Sequence, residues 1–280
     1  MELTTDIITF EGKTDFDISI EKWRETKPHG ISGLFRLRNE AQFMMRAVMS
    51  HLPYLDEAVL IVQPSDDDTM AIAHDLAAKS NKVRVLWYPF KVHPIASDGH
   101  FNVPENSVHT MMHMTNWGIS QCKFSWVAKI EGDVICLPTF VHIRKAVDKE
   151  PNAHRYYGRV GLNLAGEHGE KFSSTNPRNA GWDEAVFNNH PMFYCHRADK
   201  WETINLHDHP DKLVNFGWSF LHVKRCKRGA KQGIETWMPL LEGHVQMALR
   251  QYNYEKKYPG RDDPLGIPEL YLDWQNGRIQ

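Results

Sequence analysis

The sequence predicts an α/β fold with a mixed, mainly parallel β-sheet flanked by helices. Over the first half of the chain, short apolar segments alternate with longer segments that have helical periodicity. The segment at 58–62, Ala-Val-Leu-Ile-Val, is apolar throughout, as is typical of a strand buried on both faces of a parallel sheet. Strands that alternate with helices form βαβ units, which place ligands beyond the carboxyl ends of the strands.

The elements of the first half follow this alternation in order. Residues 1–28 alternate between polar and apolar and predict a small β-ribbon. Four strands are then predicted at 31–37, 58–62, 83–87 and 124–136, and three helices at 40–52, 69–80 and 106–121. The acidic turn at 64–68 is suited to cap the second of these helices.

The pattern changes after Pro138. A helix at 140–149, strands at 156–164, 192–195 and 218–223, and a helix at 237–257 are predicted there. The polar stretch at 166–181 is expected to be a loop over the functional site. A chain of 280 residues is long enough for one large α/β domain, so we expect a single domain over residues 1–280.

Composition excludes several classes of protein. The chain carries 33 basic and 35 acidic side chains, a formal net charge of −2, whereas a nucleic-acid-binding domain usually has a basic excess. The four cysteines form no CxxC pair, which argues against a structural zinc site or a disulfide framework. No run of 18 apolar residues is present, and the N-terminus has no signal-peptide pattern. We therefore expect a soluble cytoplasmic protein without a transmembrane segment, while its oligomeric state is not predicted.

An acidic pair ends one of the predicted strands. Glu131 and Asp133 close the otherwise apolar segment at 124–136. Ionised carboxylates beside a hydrophobic core are costly unless a cation meets them, and Mg²⁺ or Mn²⁺ bound to phosphate oxygens is such a cation. The alternative is a plain turn in which Asp133 caps backbone groups.

Four segments together resemble the GT-A glycosyltransferases of the family 2-like kind. They are Gly-Leu-Phe-Arg-Leu-Arg-Asn-Glu at 33–40, Asp-Glu-Ala-Val-Leu-Ile-Val at 56–62, Ser-Asp-Asp-Asp-Thr at 65–69, and Glu-Gly-Asp at 131–133, where that family keeps its DxD metal motif. The size and style of the chain are also similar to the soluble glycan-building transferases of large algal viruses, such as xylosyltransferases. The resemblance implies a GT-A fold whose residues 1–138 bind the nucleotide sugar and whose residues 139–280 bind the acceptor.

The resemblance also implies a set of site residues. Metal ligands would be Asp133, Glu131 and a late histidine, His222, which binds either the Mn²⁺ or Mg²⁺ ion or the diphosphate. Contacts to a nucleotide-sugar donor, with UDP preferred, would come from Arg36, Asn39, Glu40, Gln63, Ser65, Asp66, Lys129, Glu131, Lys224 and Arg225. Lys224, Arg225 and Lys227 form a local cationic cluster, for which a solvated basic turn is the alternative.

Two positions depart from the family pattern. Gln63 stands where many relatives have an aspartate that recognises the base, although an amide also hydrogen-bonds uracil. Glu131 begins the metal motif in place of an aspartate, and its longer side chain is able to reach the ribose or a metal-bound water. Asp133 is therefore the firmer ligand.

Sugar transfer with inversion requires a base for the acceptor hydroxyl. Asp183 and Glu184 are the leading candidates because they follow the long polar stretch and precede an apolar run, although an acidic pair also suits a helix N-terminus. Asp208 is the next candidate. Retention of configuration stays open.

The function predicted from the sequence is therefore metal-dependent transfer of a sugar from a nucleotide sugar, with UDP-xylose as a first choice, to a hydroxyl of a carbohydrate or glycoconjugate. Two alternatives remain. A nucleotidyltransferase would normally show a glycine-rich, basic loop after the first strand, and this chain has Arg-Leu-Arg-Asn-Glu at 36–40 instead. A non-catalytic sugar-binding module would bind the donor without turnover.

Overall fold

The computed structural model describes residues 14–151, 153–165, 171–173, 185–199, 201–205, 213–228 and 237–239. The strands are β1 (Ile31–Leu37), β2 (Glu57–Val62), β3 (Val83–Trp87), β4 (Trp126–Glu131), β5 (Val134–Cys136), β6 (Tyr156–Ala165), β7 (Lys171–Ser173), β8 (Ala185–Asn188), β9 (Cys195–Ala198), β10 (Trp201–Ile204), β11 (Leu213–Arg225) and β12 (Trp237–Pro239). The helices are α1 (Ile20–Arg24), α2 (Met44–His51), α3 (Thr69–Lys79), α4 (Asp98–Asn102), α5 (Met111–Gln121) and α6 (Phe140–Lys149).

Ten of these strands form one sheet, in the order β12-β7-β6-β8-β4-β1-β2-β3, with β11 paired to both β5 and β6. Parallel pairing is concentrated in the first half, where β4, β1, β2 and β3 run side by side in the same direction. Their carboxyl ends therefore lie at one edge of the sheet. The predicted α/β class, with a mixed sheet flanked by helices, is confirmed.

Strands of the second half continue the same sheet. β8 runs antiparallel between β4 and β6, and its first residue, Ala185, pairs with Lys129 near the end of β4. β11 is parallel to β6 and antiparallel to β5, which follows β4 after a turn. Consequently β11 passes directly beside the acidic end of β4. The assignment of donor and acceptor halves stays a prediction.

Two apolar clusters cover the two faces of the sheet, because alternate residues of each strand point to opposite faces. In β1, Phe35 and Leu37 face the cluster made with α2, α3 and α6, whereas Leu34 faces the cluster made with α5 and the β9–β10 hairpin. On the second face, the side chains of β1 and β4 change from apolar to charged towards the carboxyl ends of the strands. Two residues after Leu34 and Val127, the side chains on this face are those of Arg36 and Lys129, both buried. A charged layer thus ends this apolar face at the carboxyl edge.

Several boundaries and elements differ from the prediction. Helix α2 begins at Met44 rather than at residue 40, and α5 begins at Met111, because Thr110 accepts a capping hydrogen bond from the His113 N–H at 3.1 Å. The single strand predicted at 124–136 is broken into β4 and β5 at the turn of Gly132 and Asp133.

Three other predictions are wrong where the structure describes the chain. The predicted β-ribbon falls partly on residues that form α1, which is capped by Ser19 and anchored by the buried Trp23, whose indole N–H donates to Asn189 Oδ1 at 2.9 Å. The strand predicted at 192–195 begins only at Cys195. A helix is predicted at 237–257, but residues 237–239 form strand β12, because they pair with β7, a partner that a local pattern does not reveal. The rest of that predicted helix, like residues 1–13, lies outside the described residues.

None of the helices in the described segments is both long enough and apolar enough to cross a bilayer.

His51 occupies a fully buried position beneath the sheet, at the end of α2. Its Nδ1 lies 2.7 Å from Ala47 O and its Nε2 lies 3.1 Å from Arg159 Nη2. Because a carbonyl only accepts and a guanidinium only donates, the ring is neutral with its proton on Nδ1. Burial, reinforced by the charge of Arg159, holds the pKa of His51 well below its ordinary value.

This histidine should make the protein less stable under mildly acidic conditions. Below about pH 6.5 the unfolded chain binds a proton at His51 that the folded protein does not, so stability falls by up to about 1.4 kcal/mol per pH unit as pH decreases. His51→Gln keeps a donor and an acceptor without a titration, and should lack this part of the slope. Urea denaturation of both proteins between about pH 5 and 7.5 measures it; parallel profiles would contradict the assignment.

Candidate functional site

The candidate site lies at the carboxyl edge of the parallel strands, where β4 ends. Glu131 is the last residue of β4, and Gly132 and Asp133 form the turn into β5. Beside this turn, Val223 of β11 donates its N–H to the Asp133 carbonyl at 2.9 Å. His222 therefore stands next to both carboxylates.

Glu131, Asp133 and His222 converge on one point. His222 Nε2 lies 3.4 Å from Asp133 Oδ1 and 3.5 Å from Glu131 Oε2. One ligand atom from each residue lies within 4.8 Å of the others, and among the described residues this is the one group of that kind. Adjacent ligands of an octahedral ion at about 2.1 Å are about 3.0 Å apart, so small shifts would let all three bind one divalent cation.

Two atoms of this group are buried without a hydrogen-bond partner. Within the described part of the chain, Asp133 Oδ1 and His222 Nε2 accept and donate no hydrogen bond. The other ring nitrogen, His222 Nδ1, lies 2.9 Å from Asn163 Oδ1, which only accepts, so Nδ1 carries a proton. That contact orients the ring with Nε2 towards the carboxylates. Histidines that bind a metal through one ring nitrogen are commonly oriented in this way by a hydrogen bond from the other. These side chains fit a divalent ion.

Asp133 has only 2% of its side chain exposed, so its charge needs compensation. Lys227 supplies it: Nζ lies 2.7 Å from Asp133 Oδ2 and 2.7 Å from Glu40 Oε1. Burial alone would raise the pKa of Asp133, but the charges of His222 and Lys227 outweigh it and hold that pKa below its ordinary value. Asp133 is therefore an anion held between two cations.

Burial and the neighbouring charges also shift the pKa values of His222, Glu40 and Glu131. Burial opposes the charge on His222, yet Asp133 and Glu131 together raise its pKa to about 10. Burial, with the charge of Asp133 added, raises the pKa of Glu40 to about 8 despite its contact with Lys227. Glu131 is buried less completely, and its contacts with His222, Lys224 and Arg36 outweigh desolvation, so its pKa is well below normal.

A second part of the site joins the ends of β1 and β2. Asn39, with a left-handed φ of 55°, accepts from the Asp66 N–H at 2.8 Å through Oδ1, and its own N–H donates to Ser65 Oγ at 3.2 Å. Asparagine is among the residues that tolerate this conformation. The sequence predicted donor-binding roles for Asn39, Ser65 and Asp66, and the structure brings these residues together; the roles themselves stay predictions.

Glu40 and Gln63 stand between that turn and the acidic group. The Glu40 N–H donates to Thr69 Oγ1 at 2.8 Å, and its carboxylate reaches Lys227. Gln63, at the end of β2, is buried, and its Oε1 has no hydrogen-bond partner among the described residues. Of these two residues, Glu40 also packs against the Gly132 turn.

Arg36 and Lys129 are both engaged by the same buried carboxylate, and the donor contacts predicted for them stay predictions. Arg36 Nη1 donates to Thr115 Oγ1 at 3.0 Å and also to Glu202, and Lys129 Nζ lies 3.3 Å from Glu202 Oε1. Glu202 comes from β10, is buried, and was not found by sequence reasoning. Two buried cations in apolar strands signal that an anion must lie nearby, but they do not reveal which one.

The remaining predicted residues are only partly described. Lys224 is exposed near Glu131, and Arg225 is half-buried at the end of β11. Asp183, Glu184 and Asp208 lie outside the described residues, as does most of the stretch at 166–181. Their predicted roles stay predictions.

Comparisons with known proteins give distant structural similarities. No family model matches the chain, and no curated protein matches its sequence. The crystal structure of S. aureus TarS residues 1–349 is matched over 69% of this chain at 10% identity, with a TM-score of 0.43. The chain spans 60% of that structure's length.

A second match is glucosyl-3-phosphoglycerate synthase from Mycobacterium tuberculosis, solved in complex with Mn²⁺, UDP and glucosyl-3-phosphoglycerate. It covers 76% of this chain and 77% of the synthase, at 16% identity and a TM-score of 0.45. The same enzyme with Mn²⁺, UDP-glucose and phosphoglyceric acid gives the same values. At this distance, what the present chain binds has to follow from its own side chains.

The turn that presents the carboxylates should not accept a side chain at Gly132. A Cβ there would lie 2.7 Å from both Glu40 Cγ and Leu37 Cδ2, closer than carbon atoms pack. Gly132→Ala should therefore lower the free energy of unfolding by about 1–3 kcal/mol. Urea denaturation measures the change as a lower midpoint at an unchanged slope. An unchanged midpoint would show that Glu40 and Leu37 move aside freely.

Proposed function

We propose that the protein is a metal-dependent glycosyltransferase that uses a nucleotide-sugar donor. The observation that carries this proposal is the convergence of Glu131, Asp133 and His222 at the carboxyl edge of a parallel sheet, where the facing atoms of Asp133 and His222 are buried without a hydrogen bond among the described residues. In open α/β sheets this edge is where ligands bind. The sequence resemblance to GT-A glycosyltransferases supplies the reaction class.

The departing nucleoside diphosphate gains negative charge as the glycosidic bond breaks. A Mn²⁺ or Mg²⁺ ion held by Asp133, His222 and Glu131 would neutralise part of that charge. Lys227 is a cation beside the same point, since its Nζ lies 2.7 Å from Asp133 Oδ2. Lys224 and Arg225, on the same stretch of chain, add positive charge on the exposed side.

The nucleoside is assigned to the joined ends of β1 and β2. There Asn39, Ser65 and Asp66 form one hydrogen-bonded turn, and Gln63 keeps an unpartnered amide oxygen beside it. An amide offers both a donor and an acceptor, as the edge of uracil requires. UDP is accordingly the proposed nucleotide, and a pentose such as xylose is the first sugar to test.

Deprotonation of the acceptor is assigned to Asp183 or Glu184, with Asp208 as the next candidate. Support comes from β8, which begins at Ala185, the next residue in the chain, and pairs there with Lys129. The start of β8 thus lies at the same edge as Glu131. A carboxylate acting as base in a single displacement inverts the anomeric configuration, so inversion is the proposed outcome.

The decisive experiment compares the response to Mn²⁺ and UDP of the parent protein and Asp133→Asn. The parent should be stabilised against thermal unfolding by Mn²⁺, and further by UDP with Mn²⁺, because ligands that bind only the folded state raise its stability. Asp133→Asn should lose the Mn²⁺-dependent part, and should reduce Mn²⁺-dependent release of UDP from a panel of UDP-sugars by about 100-fold or more.

Asp75→Asn is the matched control, since it removes one carboxylate from the exposed face of α3. This variant should behave as the parent in both assays. A parent that ignores Mn²⁺, or an Asp133→Asn protein that responds like the parent, would contradict the proposal. Donor binding without any release or transfer would instead favour a non-catalytic sugar-binding module.

A further inference from the structure

A buried network of charges lies directly beside the proposed metal site. It consists of Arg36, Lys129, Glu202 and Glu131, whose side chains are 5%, 3%, 4% and 29% exposed. Only Glu131 belongs to the metal-binding group. The other three have no role in the proposed chemistry, and burying three charges requires a physical reason.

The four members come from three strands, β1, β4 and β10, so the network joins the sheet to the β9–β10 hairpin. Arg36 lies in β1 and pairs across the sheet with Glu131 of β4, while Lys129 lies two residues before Glu131 on the same face. Glu202 reaches them from β10. Its Oε1 meets both Arg36 Nη1 and Lys129 Nζ, and its Oε2 lies 3.5 Å from Cys195 Sγ.

Arg36 is shared between two carboxylates in an unequal way. Nη1 is engaged by Glu202 and by Thr115 Oγ1, whereas Nη2 lies 3.5 Å from Glu131 Oε1, at the limit of a hydrogen bond. A guanidinium forms its strongest pairs through two parallel N–H bonds to one carboxylate. Without Glu202, the carboxylate next to Arg36 would be Glu131. A metal ion would then compete with arginine for this ligand.

We propose that Glu202 is a positioning residue for the metal site. Its carboxylate pairs with the Arg36 guanidinium and thereby keeps Arg36 from pairing with Glu131 in competition with the divalent ion. This inference rests on the proposed function, because it presupposes that Glu131 binds a metal. Glu202 itself does not touch the ion. Loss of an outer partner of this kind typically lowers metal affinity about 10- to 100-fold.

The test is the affinity for Mn²⁺ alone, measured by the electron paramagnetic resonance signal of free Mn²⁺. Glu202→Gln should bind Mn²⁺ about 10- to 100-fold more weakly than the parent. The double variant Arg36→Gln with Glu202→Gln should regain affinity to within about threefold, because the competing guanidinium is gone. A second double variant, Lys129→Met with Glu202→Gln, has the same net charge but keeps Arg36, and should remain weak.

Glu150→Gln is the control for loss of one carboxylate, since Glu150 forms an exposed ion pair with Arg155 at 3.2 Å. It should bind Mn²⁺ like the parent. If Glu202→Gln does not fold, Glu202→Asp keeps the charge but shortens the side chain, and should show a smaller loss of affinity. Folding of every variant is checked by circular dichroism and urea denaturation.

The outcomes separate the two proposals. No Mn²⁺ binding by the parent would contradict the proposed function and this inference with it. Parent-like binding by Glu202→Gln, or by a folded Glu202→Asp when Glu202→Gln is unfolded, would contradict the inference alone. Equal recovery of Mn²⁺ affinity in both double variants would show that net charge causes the effect. Recovery in neither would show that loss of Glu202 disturbs the site in another way. Each of these results also overturns the positioning role.

Discussion

The buried charge of Asp133 is the constraint on which the rest of the site depends. A carboxylate with 2% exposure is stable as an anion only if cations meet it, and here Lys227 and His222 do so from two directions. Those cations reach it because β11 lies between β5 and β6, and the turn that follows β11 carries Lys227 to both Asp133 and Glu40. The chain thus builds an anionic centre enclosed by positive groups, and a divalent ion fits between Asp133 Oδ1 and His222 Nε2, which form no hydrogen bond among the described residues.

The surrounding structure keeps that centre in place through short, local contacts. Asn39 connects the ends of β1 and β2, and Asn163 orients His222 from β6. Next to Glu131, the charged layer of Arg36, Lys129 and Glu202 ends the apolar face of the sheet that packs against α5. Function and fold are coupled here, because the same β1 and β4 rows that pack against α5 supply the charges at the edge.

Much of the fold followed from local patterns in the sequence. The strands at 31–37 and 83–87 and the helix at 140–149 match the structure in both bounds. Their apolar runs and helical periodicity lie within the segments themselves, so the sequence of each segment is enough to predict it. Predictions that depended on distant partners were weaker. The break between β4 and β5 arises because the turn at Gly132 packs against Leu37 and Glu40, and β12 exists because β7 pairs with it. Similarly, the sequence indicated Glu131, Asp133 and His222, but Glu202 and Asn163 are defined only by strands that meet in space.

The most direct measurement of the central claim is anomalous X-ray diffraction at the manganese absorption edge, from crystals of the protein grown with Mn²⁺ and UDP. The account predicts one strong anomalous peak within bonding distance of both Asp133 Oδ1 and His222 Nε2, at about 2.0–2.3 Å. A peak elsewhere on the protein, with Lys227 still bound to Asp133 and no ion beside it, would contradict the account.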